Sequence, residues 1–390
     1  MKIKEQPIYL DYSATTPIDF HVASVIERHS RTTYGNASSI HSYGRTAKVI
    51  LEESREIIAR SIGAEVSEIF FTSGGTESDN HAVIGTAFAQ RRKYGKDHII
   101  VSAIEHHAVL DSADYLKNHG FRITHLPVDE NGIVSVQELE KKICDKTALV
   151  SVMHANNETG VIQPIKEIAE WTKKNGIVFH SDTVQTIGKI PVKVNDLGMD
   201  LLAISAHKIY GPKGIGAIYI RKGTDIDALL HGGAQERNNR AGTENIPLIA
   251  GFAKAAELSE IGREELFNHA VTLRSKLKNI IRSNVQNVVF NSSDEHSIPH
   301  ILNVSVDSSI YNIESETMLL NMDLKGVAVS SGSACTSGSV QPSHVLLAMG
   351  RDVKTTQAAI RFSFGKFTTI EEVEKAGSIF CSIVQSLPKK

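Results

Sequence analysis

Short apolar runs alternate with amphipathic ones through the first two thirds of the chain. Residues 97–103 (DHIIVSA), 147–154 (TALVSVMH), 176–182 (GIVFHSD) and 201–207 (LLAISAH) read as buried strands, and 217–222 (AIYIRK) as a further one. Residues 22–31, 44–62, 136–143 and 165–175 carry apolar positions at helical spacing. Strands rich in Val and Ile that alternate with helices predict βαβ units and a largely parallel sheet. Beyond about residue 262 the pattern changes. A long amphipathic helix over 264–283 leads into short strand-like pieces (VVFNS, HILNVSV, VAVSS), and a helix over 370–387 closes the chain. The expectation is an α/β protein with a large domain over 15–262 and a smaller α+β domain built from 1–14 with 263–390.

Composition narrows the class. Of 390 residues, 41% are hydrophobic and 22% charged, enough to bury an ample core without staples. The net charge of −2 gives no electrostatic footprint for nucleic acid or anionic membrane. Cys144, Cys335 and Cys381 are odd in number and widely spaced, with no CxxC. This argues against a disulfide framework or a structural metal site and for a reducing compartment. No signal-like or membrane-length apolar run is present, so a cytoplasmic location is expected.

Candidate chemistry gathers where predicted strands end, the place where open α/β sheets bind ligands. In SAHKIYGPKGIG, Lys208 follows a strand and precedes a Gly-rich turn; a partly desolvated lysine there can form Schiff bases, although a surface lysine in a turn fits the same pattern. Ser205 and His207 flank it as possible phosphate donors. Asp182 in FHSDTVQT ends a strand and suits either a cofactor ring nitrogen or a helix cap, with Gln185 close behind. In FTSGGTESDN, Gly75 and Thr76 open a helix, a ready phosphate seat or a plain capped start. His106 in SAIEHHAVL suits stacking and proton transfer, or a structural role. Asn156 in HANNETG suits a carboxylate or simple turn chemistry. Arg361, within an apolar strand, needs an anion, either a substrate carboxylate or an internal partner. Cys335 lies among Ser, Gly and Thr in SSGSACTSGS, a mobile-loop composition that makes it a candidate nucleophile, whereas Cys144 and Cys381 sit in helical, apolar contexts and read as structural.

The order of these segments carries more than any one of them. LDYSATTP, FTSGGTESDN, EHHAVL, HANNETG, SDTVQ, SAHKIYGPKGIG, HGGAQERNNRAGTEN, SSGSACTSG and IRFSFGKFT together resemble the NifS/IscS-type cysteine desulfurases, class V aminotransferase-like enzymes dependent on pyridoxal 5′-phosphate (PLP). The resemblance implies the fold type I, aspartate aminotransferase-like architecture. It implies Lys208 as the cofactor-bearing lysine, His106 against the pyridine ring, Asp182 on the ring nitrogen and Gln185 on the phenolic oxygen. Gly75, Thr76, Ser205 and His207 would form the phosphate cup. Thr243, in RAGTEN, would join it from a second subunit of a homodimer. Asn156 and Arg361 would hold the carboxylate of L-cysteine, and Cys335, on a loop over about 328–343, would take its sulfur as a persulfide. L-alanine would be released, and the sulfur passed to an iron–sulfur scaffold or a tRNA sulfurtransferase.

Some positions depart from the common pattern: Thr183, Ala206 and Gly75 stand where Ala, Gly and Ala are frequent. None removes a functional atom. An aminotransferase of the same fold has no need of a thiol such as Cys335, and a non-catalytic relative has no need of Lys208, Asp182 and Cys335 together. Selenocysteine lyase activity is compatible with the same residues.

Overall fold

The computed structural model describes residues 7–311, 317–331 and 341–390. A two-residue strand, β1 (Ile8–Tyr9), precedes two helices, Phe20–Thr32 and Ser42–Ile62. The second helix starts on His41, whose Nδ1 accepts from the Gly44 N–H at 3.2 Å, and stops at Gly63, where φ of +69° needs no Cβ.

The main sheet follows: β2 (Ile69–Thr72), β3 (His98–Ser102), β4 (Arg122–Leu126), β5 (Thr147–Ser151), β6 (Val178–Asp182), β7 (Leu201–Ser205) and β8 (Gly216–Ile220). Their spatial order is β2-β8-β7-β6-β5-β3-β4. Only β8 runs against the rest, antiparallel to both β7 and β2; the other pairings are parallel. β2, β3, β5, β7 and β8 are buried at every position, the reason their sequences read as unbroken apolar runs. β4 lies at the sheet edge with Arg122 exposed and has no such run, so the apolar pattern does not predict it.

Helices cover both faces. Leu51, Ile58, Phe179, Tyr219 and Phe252 belong to one core, and Val83, Val101, Val109 and Leu116 to another. A second sheet of three antiparallel strands holds β9 (Val288–Phe290) and β10 (Ile301–Val306) together with the later Ala359–Ser363. Between them in sequence, β11 (Val327–Ala328) pairs with β1 in parallel; Ala359–Ser363 is β12. Helices Arg263–Asn284 and Ile370–Gln385 supply Leu277, Ile281 and Phe380 to a core shared with Leu302, Phe362, Ile8 and Leu10. The chain start is thereby packed with the chain end. Among the described residues, no helix is long and apolar enough to cross a membrane.

Candidate active site

A cleft of about 430 Å³ opens at the carboxyl ends of the parallel strands. Gly75, Thr76, His106, Asp182, Gln185, Ser205, His207, Lys208 and Arg361 all line it, joined by Asp11, Ser13, Asp79, Asn157 and Ser330. Strand geometry explains the gathering. β6 ends on Asp182 and β7 on Ser205, and their parallel pairing sets Asp182 beside Ala203. β2 ends on Thr72, and a helical run begins at Gly75. A Cβ on Gly75 would stand 2.9 Å from Val184 Cγ2, so the helix start packs closely on the segment that follows Asp182.

Lys208 projects from a short 3₁₀ turn, Ala206–Lys208, and its Nζ donates to the Ser13 and Ala14 carbonyls, the latter at 2.9 Å. His106 caps the helix His107–Lys117, its Nδ1 accepting from the Ala108 N–H at 3.1 Å. Burial holds the His106 imidazole below its usual pKa; Asp182 opposes this, and Lys208, His107 and His344 reinforce it. Burial also depresses His207, to about 4, and its Nδ1 lies 3.1 Å from Thr15 Oγ1. Both rings are therefore neutral near pH 7.

Asp182 is 7% exposed and accepts from the Val184 N–H at 2.8 Å. Burial pushes its carboxyl up, against His106, that N–H and Lys208. Behind it lie two more buried acids, Asp79 and Glu105. Both are pushed well up by burial, and Asp182 adds to each. Gln185 Nε2 donates to the Ser13 carbonyl at 2.9 Å, while its Oε1 accepts from the buried Lys189 at 2.9 Å. Arg361, on β12, pairs with Asp11 at 2.8 Å and donates to the Asn157 carbonyl at 2.9 Å.

These residues fit PLP on two observations, and its amino-acid substrate on a third. Ser205 Oγ and Arg361 Nε are buried and without a hydrogen-bond partner among the described residues, and a buried donor left unsatisfied is costly. A phosphate oxygen answers the first and a carboxylate oxygen the second. The Asp182 carboxyl, destabilised as an anion by burial, gains from a protonated ring nitrogen.

Several expectations need revision. Asn156 does not reach the cleft. It is fully buried; its Nδ2 donates to the Ile104 carbonyl at 2.9 Å, and its Oδ1 accepts from the N–H groups of Glu158 and Thr159, each at 2.9 Å. It builds the turn, and its neighbour Asn157 lines the cleft. Cys144 is exposed rather than packed away: it follows the helix Val136–Lys142, and its Sγ accepts from Arg122 Nη2 at 2.9 Å. Cys381 is buried, as a structural residue requires. Thr183 does not line the cleft; its hydroxyl donates to the Ala203 carbonyl at 2.8 Å. Thr243, expected to serve a second subunit, is exposed and lies outside the lining of its own chain's cleft, which leaves that expectation standing. Cys335 and most of the 328–343 loop lie outside the described residues, although Ser330 bridges Arg361 at the cleft edge.

Asp11, Ser13, Asp79 and Lys189 carry site geometry that the motif reading passed over. Asp79 is 1% exposed, with Oδ1 3.4 Å from His180 Nε2. The signal for Lys189 was present in the chain, because it stands four residues after Gln185 in SDTVQTIGK, a helical-turn spacing.

Comparison with known proteins agrees with this geometry. The aminotransferase class-V family model matches residues 8–376. A cysteine desulfurase IscS of Dictyoglomus turgidum is 46% identical over 383 residues, covering 98% of this chain and 96% of its own. A putative cysteine desulfurase IscS 1 of Bacillus subtilis is 45% identical, covering 97% and 99%. Among solved structures, a NifS-like protein superposes with a TM-score of 0.89 at 39% identity, covering 97% of this chain and all of its own. A structure of SspA in complex with cysteine gives 0.81 at 32% identity, covering 93% and 100%. The chain belongs to the class-V aminotransferase family of PLP-dependent, fold type I enzymes. Within that family it is a cysteine desulfurase of the NifS/IscS type.

Proposed function

We propose that this desulfurase holds PLP on Lys208 and takes the sulfur of L-cysteine onto Cys335 as a persulfide, releasing L-alanine. The observation that carries the site assignment is the convergence of Lys208, Asp182, His106, Gln185 and Ser205 on one cleft at the strand ends. Bound there, PLP supplies an electron sink for negative charge developing at the substrate Cα.

The chain's own groups do the rest. Ser205, His207, Thr76 and the Gly75 backbone would hold the phosphate. Asp182 would hold the ring nitrogen in its protonated form, and the neutral His106 would lie against the ring. Arg361, steadied by Asp11, offers its unpartnered Nε to the substrate carboxylate, with Asn157 rather than Asn156 beside it. The Lys208 amine moves the Cα proton. The Cys335 thiolate attacks the substrate sulfur: an S–S bond forms, the C–S bond breaks, and its electron pair stays on the three-carbon fragment, which is then protonated. The family role implies a sulfur acceptor; an iron–sulfur scaffold or a tRNA sulfurtransferase fits. A homodimer would bring Thr243 to the partner's phosphate. The separate cores support two domains dividing near Gly262, where helices Ile246–Ile261 and Arg263–Asn284 adjoin.

The test is spectroscopic and then chemical. The purified protein is expected to absorb in the visible, and Lys208→Ala to abolish that band. Cys335→Ser should keep the band but form neither alanine nor persulfide from L-cysteine. A Cys335→Ser variant that still releases sulfur at the native rate removes Cys335 from the mechanism.

A further inference from the structure

A buried lysine behind the cleft has no part in the chemistry above. Lys189 is 6% exposed, and its Nζ donates to Gln185 Oε1 at 2.9 Å. An ammonium has three donors and no acceptor, so only the carbonyl end of the Gln185 amide can face it. The amide's two ends are otherwise nearly the same shape, and Lys189 on one side and the Ser13 carbonyl on the other together oppose a flip. With Oε1 fixed toward Lys189, Nε2 is fixed toward Ser13, where it donates to the carbonyl at 2.9 Å. The same carbonyl accepts from Lys208 Nζ. Lys189, Gln185, Ser13 and Lys208 thus form one continuous chain of hydrogen bonds ending at the cofactor-bearing amine.

Holding a lysine there is unfavourable in itself. Burial, with Lys208 and Arg361 adding to it, depresses the Lys189 ammonium to about 7, so the donor-only form that orients the amide is fully present only below that pH; His300 is a further buried neighbour. A methionine of similar length would fill the space without that penalty. We infer that Lys189 is a positioning residue: its ammonium locks the Gln185 amide so that Nε2, never Oε1, is presented to the phenolic oxygen of PLP. This rests on Gln185 being the partner of that oxygen. A flipped amide would set a carbonyl oxygen against a phenolate, and two acceptors cannot bond.

The test is a pH titration of the visible band of the holoenzyme, with PLP release measured alongside. Lys189→Met is expected to fold, with an unchanged or raised Tm. Losing one hydrogen bond to an ionised oxygen should raise the band's midpoint by about one pH unit and weaken PLP about tenfold. Lys189→Arg, which keeps the donors, should stay near the wild type. In a Gln185→Ala background, Lys189→Met should add nothing, because the group it positions is gone. A charge acting directly on the cofactor would still shift the midpoint in that background, and such a shift overturns the positioning role. A Gln185→Ala shift with no change in Lys189→Met overturns it too, leaving Gln185 as the partner. No shift in Gln185→Ala overturns both. Should Lys189→Met fail to fold, Lys189→Gln, neutral and able to turn either amide end, carries the same comparison.

Discussion

At the scale of single residues, the cleft is a set of buried polar groups that the protein alone leaves incompletely compensated. Asp182 is the clearest, a 7%-exposed carboxyl with two further acids behind it. Its role is electrostatic, so Asp182→Asn, which preserves shape and removes charge, should lose on the order of 10²-fold in kcat while remaining folded. Steady-state alanine formation and a thermal melt check this; a loss smaller than twofold would exclude Asp182 from the ring nitrogen. Lys208, Asp182, Ser205 and His106 were legible in the sequence because each follows an apolar strand, and strand ends share one edge of the sheet. Asn156 was misplaced by one residue. In the turn at 154–160 two adjacent amides fit the same pattern, and only the hydrogen bonds reveal that Asn156 closes the turn while Asn157 lines the cleft. Asp79 was passed over for a different reason: its burial depends on His180 of β6, far away in sequence.

At the scale of elements, the strands and helices follow their periodicities closely, and the misses are elements whose environment is mixed. Edge strand β4 has one buried position, Leu126, and no apolar run. A less expected element is the segment 236–238, where Glu236, Arg237 and Asn238 all have positive φ, of 43°, 55° and 66°. Left-handed backbone is costly for residues with a Cβ and persists where surroundings over-determine it. Glu236 is held by a two-pronged pair with the buried Arg55, at 2.6 and 2.9 Å, and accepts from the Phe71 N–H at 2.8 Å. This ties the turn to helix Ser42–Ile62 and to β2. Downstream, Arg240 Nε donates to Glu77 at 2.9 Å, beside the helix start at Gly75. Arg55→Ala leaves the Glu236 carboxylate buried and unpaired, so a loss of about 3–5 kcal/mol is expected in urea unfolding. PLP affinity should fall with it, since the turn sets the path toward Thr243. A destabilisation below about 1 kcal/mol, the scale of exposed pairs, would show that the turn holds without the pair.

At the scale of the whole molecule, one chain brings Gly75, Thr76, Ser205 and His207 of the proposed phosphate cup to its cleft but leaves Thr243 exposed outside it. Large apolar side chains are also turned to solvent along residues 20–43: Phe20 at 78%, Tyr34 at 72% and Ile40 at 91%, with Tyr34 stacked on Tyr43 at 5.3 Å. Exposed apolar side chains of this kind fit an interface, and the second copy of the chain proposed above is the occupant that would also give Thr243 a task. Mixed dimers separate this arrangement from one in which Thr243 serves its own chain. Thr243→Ala alone should release PLP about 10- to 100-fold more readily, the cost of one hydrogen bond to a charged group. Lys208→Ala alone should be inactive. In a heterodimer of the two, the subunit with an intact Lys208 receives an intact Thr243 from its partner, and activity at limiting PLP should return at one of the two sites. If Thr243 acts within its own chain, no site in that heterodimer is complete, and the mixture should remain as weak as Thr243→Ala. Tagged co-expression and sequential affinity purification isolate the heterodimer, and its alanine production over a PLP titration decides between the two.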